Sequence, residues 1–176
     1  MRQVIAWLLN AKFNHGVAGV ILDKRGRVLL LKHRFWKDQR WGLPGGHARH
    51  GETLEATLRR ELLEETGLEV RPGKLLEVGV GKRSVEFVLQ AECDGEPEVR
   101  SVEIMEAGFW DRGELPENML PSHRKIVEKH MEERLKYEGV ENATRGSRLL
   151  AFILQTSSFS LSPSPHRGAS VEGRPR

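Results

Sequence analysis

The sequence predicts a globular domain of the α+β class, on three observations. Residues 16–33 and 74–92 contain apolar, β-branched runs broken by turn-forming residues, a pattern typical of β-strands. Residues 52–66 instead place leucine at every fourth position, which is typical of an amphipathic α-helix. The chain has 176 residues, which is enough for one domain with a sizeable hydrophobic core.

The first half of the chain predicts a hairpin, a loop and a helix. Residues 16–22 and 27–33 flank Asp-Lys-Arg-Gly at 23–26, a composition that favours a turn between two strands. Residues 35–46 are rich in Trp, Gly and Pro, so an irregular loop is predicted there. A helix is then expected over residues 52–66, with its apolar stripe formed by Leu54, Leu58 and Leu62 and its end at Gly67.

The second half predicts three strands and a helix. Residues 74–80 and 84–92 are expected to be strands joined by Gly-Lys-Arg at 81–83, and residues 106–111 a further strand. A last helix is predicted over 122–137. Its apolar side would consist of Ile126, Val127, His130, Met131 and Leu135.

The composition changes after residue 139, so we predict a domain at 1–139 and a tail rich in Ser, Pro and Arg at 140–176. Within residues 157–176, Ser, Pro and Gly account for eleven of twenty positions, so the tail is expected to be largely disordered. Residues 149–154, Leu-Leu-Ala-Phe-Ile-Leu, are the exception and are expected to form a short helix or strand.

Charge and cysteine content exclude several classes of protein. The formal net charge is +3, but residues 140–176 hold five Arg and two acids, so residues 1–139 are neutral and non-specific binding to nucleic acid is not expected. The single cysteine, Cys93, cannot form an internal disulfide or a Cys-rich zinc site, which favours a reducing, cytoplasmic location. The apolar run at 4–9 is too short to span a membrane, and we expect neither a signal peptide nor a membrane partner.

Acidic residues are concentrated on the helix predicted at 52–66. It carries Glu55, Glu61, Glu64 and Glu65, and the last three lie at positions i, i+3 and i+4, on one face. Because like charges so close repel, this face suggests a bound cation, and oxygen ligands favour Mg²⁺ or Mn²⁺ over Zn²⁺. The alternative is an acidic face that is simply solvated.

These acids belong to a longer pattern of Gly46, five residues, Glu52, seven residues and then Arg-Glu-Leu-Leu-Glu-Glu-Thr-Gly-Leu at 60–68. The pattern resembles the Nudix box at every defining position, with aliphatic Leu62 and Leu68 where the family has them. The box covers residues 46–68. The preceding Trp-Gly-Leu-Pro-Gly-Gly and the later Glu-Ala-Gly-Phe-Trp extend the resemblance to about residues 16–135.

The resemblance implies a Nudix fold, with a mixed β-sheet between α-helices. It also implies hydrolysis of a nucleoside diphosphate linked to another moiety, by Mg²⁺-assisted attack of water on phosphorus, which makes the chain a pyrophosphohydrolase. By position, the metal ligands would be Glu61, Glu65 and the backbone carbonyl of Gly45, with Glu64 a further ligand or the general base.

The remaining box positions are expected to be structural. Arg60 and Glu52 would orient the catalytic helix through an ion pair without touching substrate. Gly46 and Gly67 complete the motif.

Residues outside the box supply further candidates. Glu103 is a candidate fourth acid and general base, or equally a solvated loop residue. Arg34 and Lys32, at the end of the second predicted strand, are candidates for contacts with phosphate oxygens, although exposed charges there need no role. Trp36 and Trp41 could stack on a base, but an aromatic residue there more often packs in the core, and Trp41 in particular resembles a structural position of the family. The four histidines of the first fifty residues lack the spacing of zinc ligands and are interpreted as ordinary loop or strand residues: His15, His33, His47 and His50.

Residues that mark particular subfamilies of the family are missing from this chain, and their absence narrows the expected class of substrate. The Pro of many ADP-ribose hydrolases would fall near Lys82 or Arg83 and is missing. The Tyr of the dinucleoside polyphosphate group is also missing, because Tyr137 is the only tyrosine. The conserved run of NADH pyrophosphatases is absent too. A nucleoside triphosphate-like or nucleotide-sugar substrate is therefore expected as the small-molecule partner.

Two other functions remain open. The first is a catalytically silent, Nudix-like nucleotide sensor, which the complete set of box glutamates argues against. The second is an RNA 5′-end pyrophosphohydrolase that uses the basic tail, although its arginines are widely dispersed, at Arg145, Arg148, Arg167, Arg174 and Arg176. A homodimer is compatible with the sequence.

Overall fold

The computed structural model describes residues 14–134 and 136–137. The first four strands lie at Asn14–Leu22 (β1), Val28–His33 (β2), Trp41–Gly42 (β3) and Gly45–His47 (β4). Helix α1 spans Leu54–Thr66, and three strands follow at Val70–Val80 (β5), Ser84–Cys93 (β6) and Ile104–Trp110 (β7). Helix α2 spans residues 121–134.

By its internal contacts the chain divides into two units, Met1–Glu133 and Arg134–Arg176. In the second unit, residues 134, 136 and 137 are described and are helical. The predicted tail at 140–176, its apolar segment at 149–154, the apolar run at 4–9 and Leu135 lie outside the described residues. None of the described helices is long and apolar enough to cross a membrane.

The strands of the described region form one mixed sheet. At its centre β1 pairs in parallel with β6, from Asn14 opposite Ser84 to Leu22 opposite Glu92. Strand β4 pairs antiparallel with the start of β1, and β5 pairs antiparallel with the other side of β6. Strand β2 meets β1 at the hairpin and pairs antiparallel with β3 and β7. The sheet therefore brings β4 and the starts of β1 and β6 to one place.

The hydrophobic core lies on both faces of this sheet, because alternate residues of a strand point to opposite faces. Val17 and Ile21 of β1 pack in one buried cluster with Leu58 and Leu62 of α1. Ala18, Val20 and Leu22 of the same strand pack in a second cluster that contains Val127 and Met131 of α2. The predicted mixed sheet between helices is confirmed. The leucine stripe forms the buried face of helix α1.

The boundaries of α1 have local causes. The Thr53 hydroxyl accepts a hydrogen bond from the Ala56 N–H at 3.2 Å and caps the first turn. Gly67 ends the helix with φ +70°, a conformation that costs little without a Cβ atom. The helix thus begins two residues later than predicted and ends where Gly67 indicated.

The prediction of an irregular loop at 35–46 is wrong in part. This segment contains a single 3₁₀ turn at Lys37–Gln39 and the short strands β3 and β4. Both strands obtain their hydrogen bonds from distant partners, β2 and β1, and such pairing leaves no periodic signal in a Gly- and Pro-rich sequence.

Candidate active site

Arg60 connects the loop before α1 to the helix. Its Nε and Nη2 donate to the Glu52 carboxylate at 2.7 and 2.9 Å, and Nη2 also donates to the backbone carbonyl of His47 at 3.0 Å. The hydrogen bonds from Arg60, together with one from the Arg49 N–H, lower the pKa of Glu52 to about 2. The ion pair expected between Arg60 and Glu52 is therefore present.

The same guanidinium orients the first acid of the cavity. Arg60 Nη1 donates to Glu61 Oε1 at 2.8 Å, so the carboxylate is turned toward β4. There it occupies the space in which Gly46 would carry a Cβ atom, which would overlap the Glu61 carboxylate. Gly45 is constrained in a second way, because its φ is +149° and a Cβ atom would overlap the carbonyl of Val17. The glycine pair thus allows the acidic helix to approach the sheet closely.

Glu65 is the buried acid of the group, with only 8 % of its surface exposed. Burial, and then the nearby charge of Glu61, raise the pKa of Glu65 to about 8, while a hydrogen bond from the Gly45 N–H partly opposes them. The charge of Glu103 raises it further. Its Oε2 atom has no hydrogen-bond partner among the described residues. Among the described residues no cationic side chain pairs with the Glu65 carboxylate, although burial of a charge is costly without such a partner.

The two candidates for general base have different surroundings. Glu103 lines the cavity together with Glu61 and Glu65. Glu64 does not line it; its carboxylate is half exposed and lies 3.3 Å from Arg49 Nη2 and 3.4 Å from Arg60 Nη1. Glu103 is held from two sides, because its N–H donates to Ser101 Oγ at 3.2 Å and its carbonyl accepts from the Arg34 N–H at 2.8 Å.

Glu61, Glu65 and Glu103 line a cavity of about 740 Å³, which is large enough for a nucleotide. One side of it is formed by α1 and β4, and carries Glu61, Glu65 and the glycine pair. The other side faces α2. Its lining includes His33, Trp36, Leu43, Glu86 and His123.

Three candidates predicted for substrate contacts lie elsewhere. Arg34 Nε donates to the Val102 carbonyl at 2.9 Å, and Lys32 pairs with Glu106 at 2.7 Å. Trp41 is buried and packs edge to face against Trp110, with ring centroids 5.2 Å apart. None of the three lines the cavity. Their surroundings favour the structural roles that the sequence left open for them.

Sequence reasoning missed several residues of the cavity. His33 was interpreted as an ordinary strand residue, yet it lines the cavity and stacks on Trp36, with ring centroids 3.8 Å apart. Burial lowers the pKa of His33 to about 4. His123 and Glu86 carried no signal, because they are 37 positions apart and neither belongs to a motif. Only the packing of α2 against the sheet brings their side chains together, with His123 Nε2 and Glu86 Oε1 3.5 Å apart.

The acidic side of the cavity suits a hard divalent cation. Among residues 14–134 and 136–137, no three His, Cys, Asp or Glu side chains already converge as a metal-binding group. Mg²⁺ does not require such a cage, because it is commonly held by one or two carboxylates together with substrate phosphates. The unpartnered oxygen of Glu65 beside Glu61 fits that kind of ligand set.

The fold and this arrangement of glycines, acids and arginine define a class of protein. A family model described as the NUDIX domain matches residues 12–130, and the chain belongs to the Nudix family. The fold is shared with a NUDIX hydrolase from Nitrosomonas europaea, at a TM-score of 0.65 and 23 % identity, over 72 % of this chain and 74 % of that one.

Two curated relatives are similar in sequence over part of the chain. An oxidized purine nucleoside triphosphate hydrolase of Danio rerio is 39 % identical over 93 residues, which cover 52 % of this chain and 53 % of the relative. A protein of Xenopus laevis named nucleoside diphosphate-linked moiety X motif 6 is 42 % identical over 64 residues, or 36 % of this chain and 30 % of the relative. The matched region thus spans about a third to a half of these relatives.

Proposed function

We propose that the chain hydrolyses a pyrophosphate bond in a nucleoside triphosphate-like substrate, with Mg²⁺ or Mn²⁺ as cofactor. The observation that carries the proposal is Glu65, a buried carboxylate with an unpartnered oxygen beside Glu61. A carboxylate in this position is stabilised by a cation, and a pyrophosphate must be neutralised by a cation before water can attack it. The similarity to a hydrolase of oxidized purine nucleoside triphosphates favours a substrate of that class over a nucleotide sugar.

Each residue of the site has a part in this reaction. Glu61, Glu65 and the Gly45 carbonyl would hold the cation, which neutralises phosphate charge and acidifies water when it is bound. Arg60 and Glu52 keep the Glu61 carboxylate turned toward the cavity. Glu64, paired with two arginines at the rim, is a supporting acid rather than the base.

Glu103 is proposed as the general base because it lines the cavity and its backbone is anchored on both sides. It takes one proton from the attacking water. The water oxygen forms a new bond to phosphorus as the bridging P–O bond breaks, and the bridging oxygen leaves with the departing phosphate group. Glu103 then releases this proton to the departing phosphate group or to solvent, so the carboxylate is restored and the products together account for all the atoms of substrate and water.

A panel of nucleotides tests the proposal. Purified protein is incubated with 8-oxo-dGTP, dGTP, dATP, UDP-glucose and ADP-ribose, in Mg²⁺, in Mn²⁺ and in EDTA, and the loss of each substrate and the formation of its nucleotide product are measured by chromatography. We expect metal-dependent hydrolysis of the triphosphates that Glu65→Gln abolishes, whereas Glu55→Gln, on the exposed side of the same helix, retains it. A folded wild-type protein that leaves the whole panel intact in both metals would refute the proposal.

A further inference from the structure

Four glutamates are among the described residues that line the cavity, and one of them, Glu86, lies next to His123 of α2. Glu86 lies on β6, and its strand neighbour Val88 packs in the core cluster beneath α2. The Nudix box does not include this residue. A carboxylate there can only accept hydrogen bonds, so this part of the cavity is suited to a ligand that presents N–H donors.

His123 contacts this carboxylate from α2. The Leu43 N–H donates to His123 Nδ1 at 3.0 Å, so the proton of the neutral imidazole is on Nε2. That nitrogen lies 3.5 Å from Glu86 Oε1. The hydrogen bond from His123 lowers the pKa of Glu86, which keeps the group ionised at neutral pH. One carboxylate oxygen thus lies next to His123, and this contact favours an orientation in which the carboxylate lines the cavity.

The space on both sides of Glu86 is kept free by glycines. In the sheet, Glu86 is paired with Gly16 of β1 on one side and with Gly79 of β5 on the other. Both glycines line the cavity, and a Cβ atom at either would come no closer than 3.9 Å to another atom. Neither backbone requires glycine, so the missing side chains leave room around Glu86 for a flat ligand.

Three aromatic side chains, those of Trp36, His33 and His123, line the same cavity. Trp36 stacks on His33 with an angle of 7° between the rings, and meets the His123 ring edge on at a centroid distance of 5.9 Å. An indole ring held in this way offers a surface on which a heterocycle can stack. The cavity therefore combines a rigid aromatic surface, an oriented carboxylate and free space beside it.

We infer that Glu86, positioned by His123, binds the Watson–Crick edge of a guanine-type base, accepting hydrogen bonds from N1–H and from the exocyclic amino group. Guanine presents two adjacent donors there, which match the two oxygens of a carboxylate. Adenine has an acceptor beside its amino group, and uracil has carbonyl oxygens on both sides of N3–H, so each would place an acceptor against the carboxylate. Guanine oxidised at C8 keeps the same donor edge.

This inference rests on the proposed function for the choice of a nucleotide as ligand, but binding tests it without turnover. GMP, IMP and AMP are titrated in EDTA, with calorimetry and tryptophan fluorescence as the readouts. IMP differs from GMP only in lacking the exocyclic amino group of the base. We expect GMP to bind about tenfold or more tightly than IMP and AMP, as the loss of one hydrogen bond to a charged group predicts.

Two substitutions on β6 provide the variant and its control. Glu86→Gln keeps an acceptor for His123 but replaces one carboxylate oxygen by a donor, so the preference for GMP over AMP should disappear or reverse. Glu92→Gln, on the same strand outside the cavity, should retain the preference. Equal binding of the three nucleotides by the wild type, no binding of GMP at millimolar concentration, or an unchanged preference in Glu86→Gln would each overturn the inference.

A second pair of variants tests the space beside Glu86 independently. Gly79→Val should fill it and weaken GMP binding by about tenfold or more, with little change in melting temperature. Gly73→Val, on the same strand outside the cavity, should bind GMP as the wild type does. Normal GMP binding by a folded Gly79→Val protein would contradict the proposed position of the base. If the base preference holds while no nucleotide is hydrolysed, the proposed function fails and this inference stands.

Discussion

The carboxylate of Glu52 and the guanidinium of Arg60 form a bidentate ion pair, with N–O distances of 2.7 and 2.9 Å. Glu52 lies in the loop before α1 and Arg60 lies in the middle of this helix, so the ion pair connects the loop to the helix. Because Arg60 also contacts Glu61 and the His47 carbonyl, it sets the position of an acid at the cavity. The role of the pair is to orient other groups.

Replacement of Glu52 by Gln should therefore impair catalysis indirectly. The loss of charge frees Arg60 to reorient, and we expect kcat to fall by about 10–100-fold with a much smaller change in KM. Steady-state kinetics with Mg²⁺ check this, with Glu55→Gln as the matched control. An unchanged kcat would show that Glu61 is oriented without the ion pair.

Replacement of Glu65 by Gln should separate stability from activity. The pKa of Glu65 is raised from 4.5 to about 8, so its ionisation costs stability as pH rises between these values. In EDTA at pH 8 or above, we expect Glu65→Gln to melt a few degrees higher than the wild type, yet to lose about two orders of magnitude or more in kcat. Thermal unfolding and kinetics measure the two effects, and a lower melting temperature in EDTA would argue against a buried, unpartnered carboxylate.

His33 should make the fold sensitive to mild acid. Burial lowers the pKa of His33 from 6.5 to about 4, so the unfolded chain takes up a proton that the folded one resists. Stability should fall as pH drops from about 6.5 to about 4, by on the order of 3 kcal/mol in total. Denaturant unfolding at several pH values measures this loss. His33→Phe should remove most of it and His50→Gln, at an exposed position, should not; an equal pH dependence in all three proteins would contradict the assignment.

Leu58 should contribute strongly to stability through the α1 core cluster. It is fully buried, so Leu58→Ala leaves a cavity and is expected to cost about 2–5 kcal/mol of unfolding free energy. Leu63 lies on the same helix and is half exposed, so Leu63→Ala should cost less than about 1 kcal/mol. Chemical denaturation compares the two variants. Similar losses in both would mean that the buried face of α1 is wrongly assigned.

Much of the fold was predictable because its signals are local. The leucine spacing of α1, the turn before β2 and the glycine that ends the helix each depend on residues close in sequence. The short strands β3 and β4 were missed because their hydrogen-bond partners are on β1 and β2. Their Gly- and Pro-rich sequence indicates a loop when it is considered alone.

The candidate site divides in the same way. By itself the sequence determined which acids of α1 share a face, because spacing along a helix sets which side chains lie together. The glycine pair and the partnership of Arg60 with Glu52 followed from the resemblance to the Nudix box. Only the tertiary structure decided that Glu61 and Glu65 line the cavity while Glu64 lies at its rim. It also brought Glu103, from a distant loop, to the same cavity.

The tertiary structure alone likewise joined Glu86 to His123 and left space beside Glu86 at Gly16 and Gly79. These residues come from three strands and a helix, and what relates them is strand register and helix packing. Such contacts depend on how distant segments pack, and no periodicity or spacing along the chain encodes them.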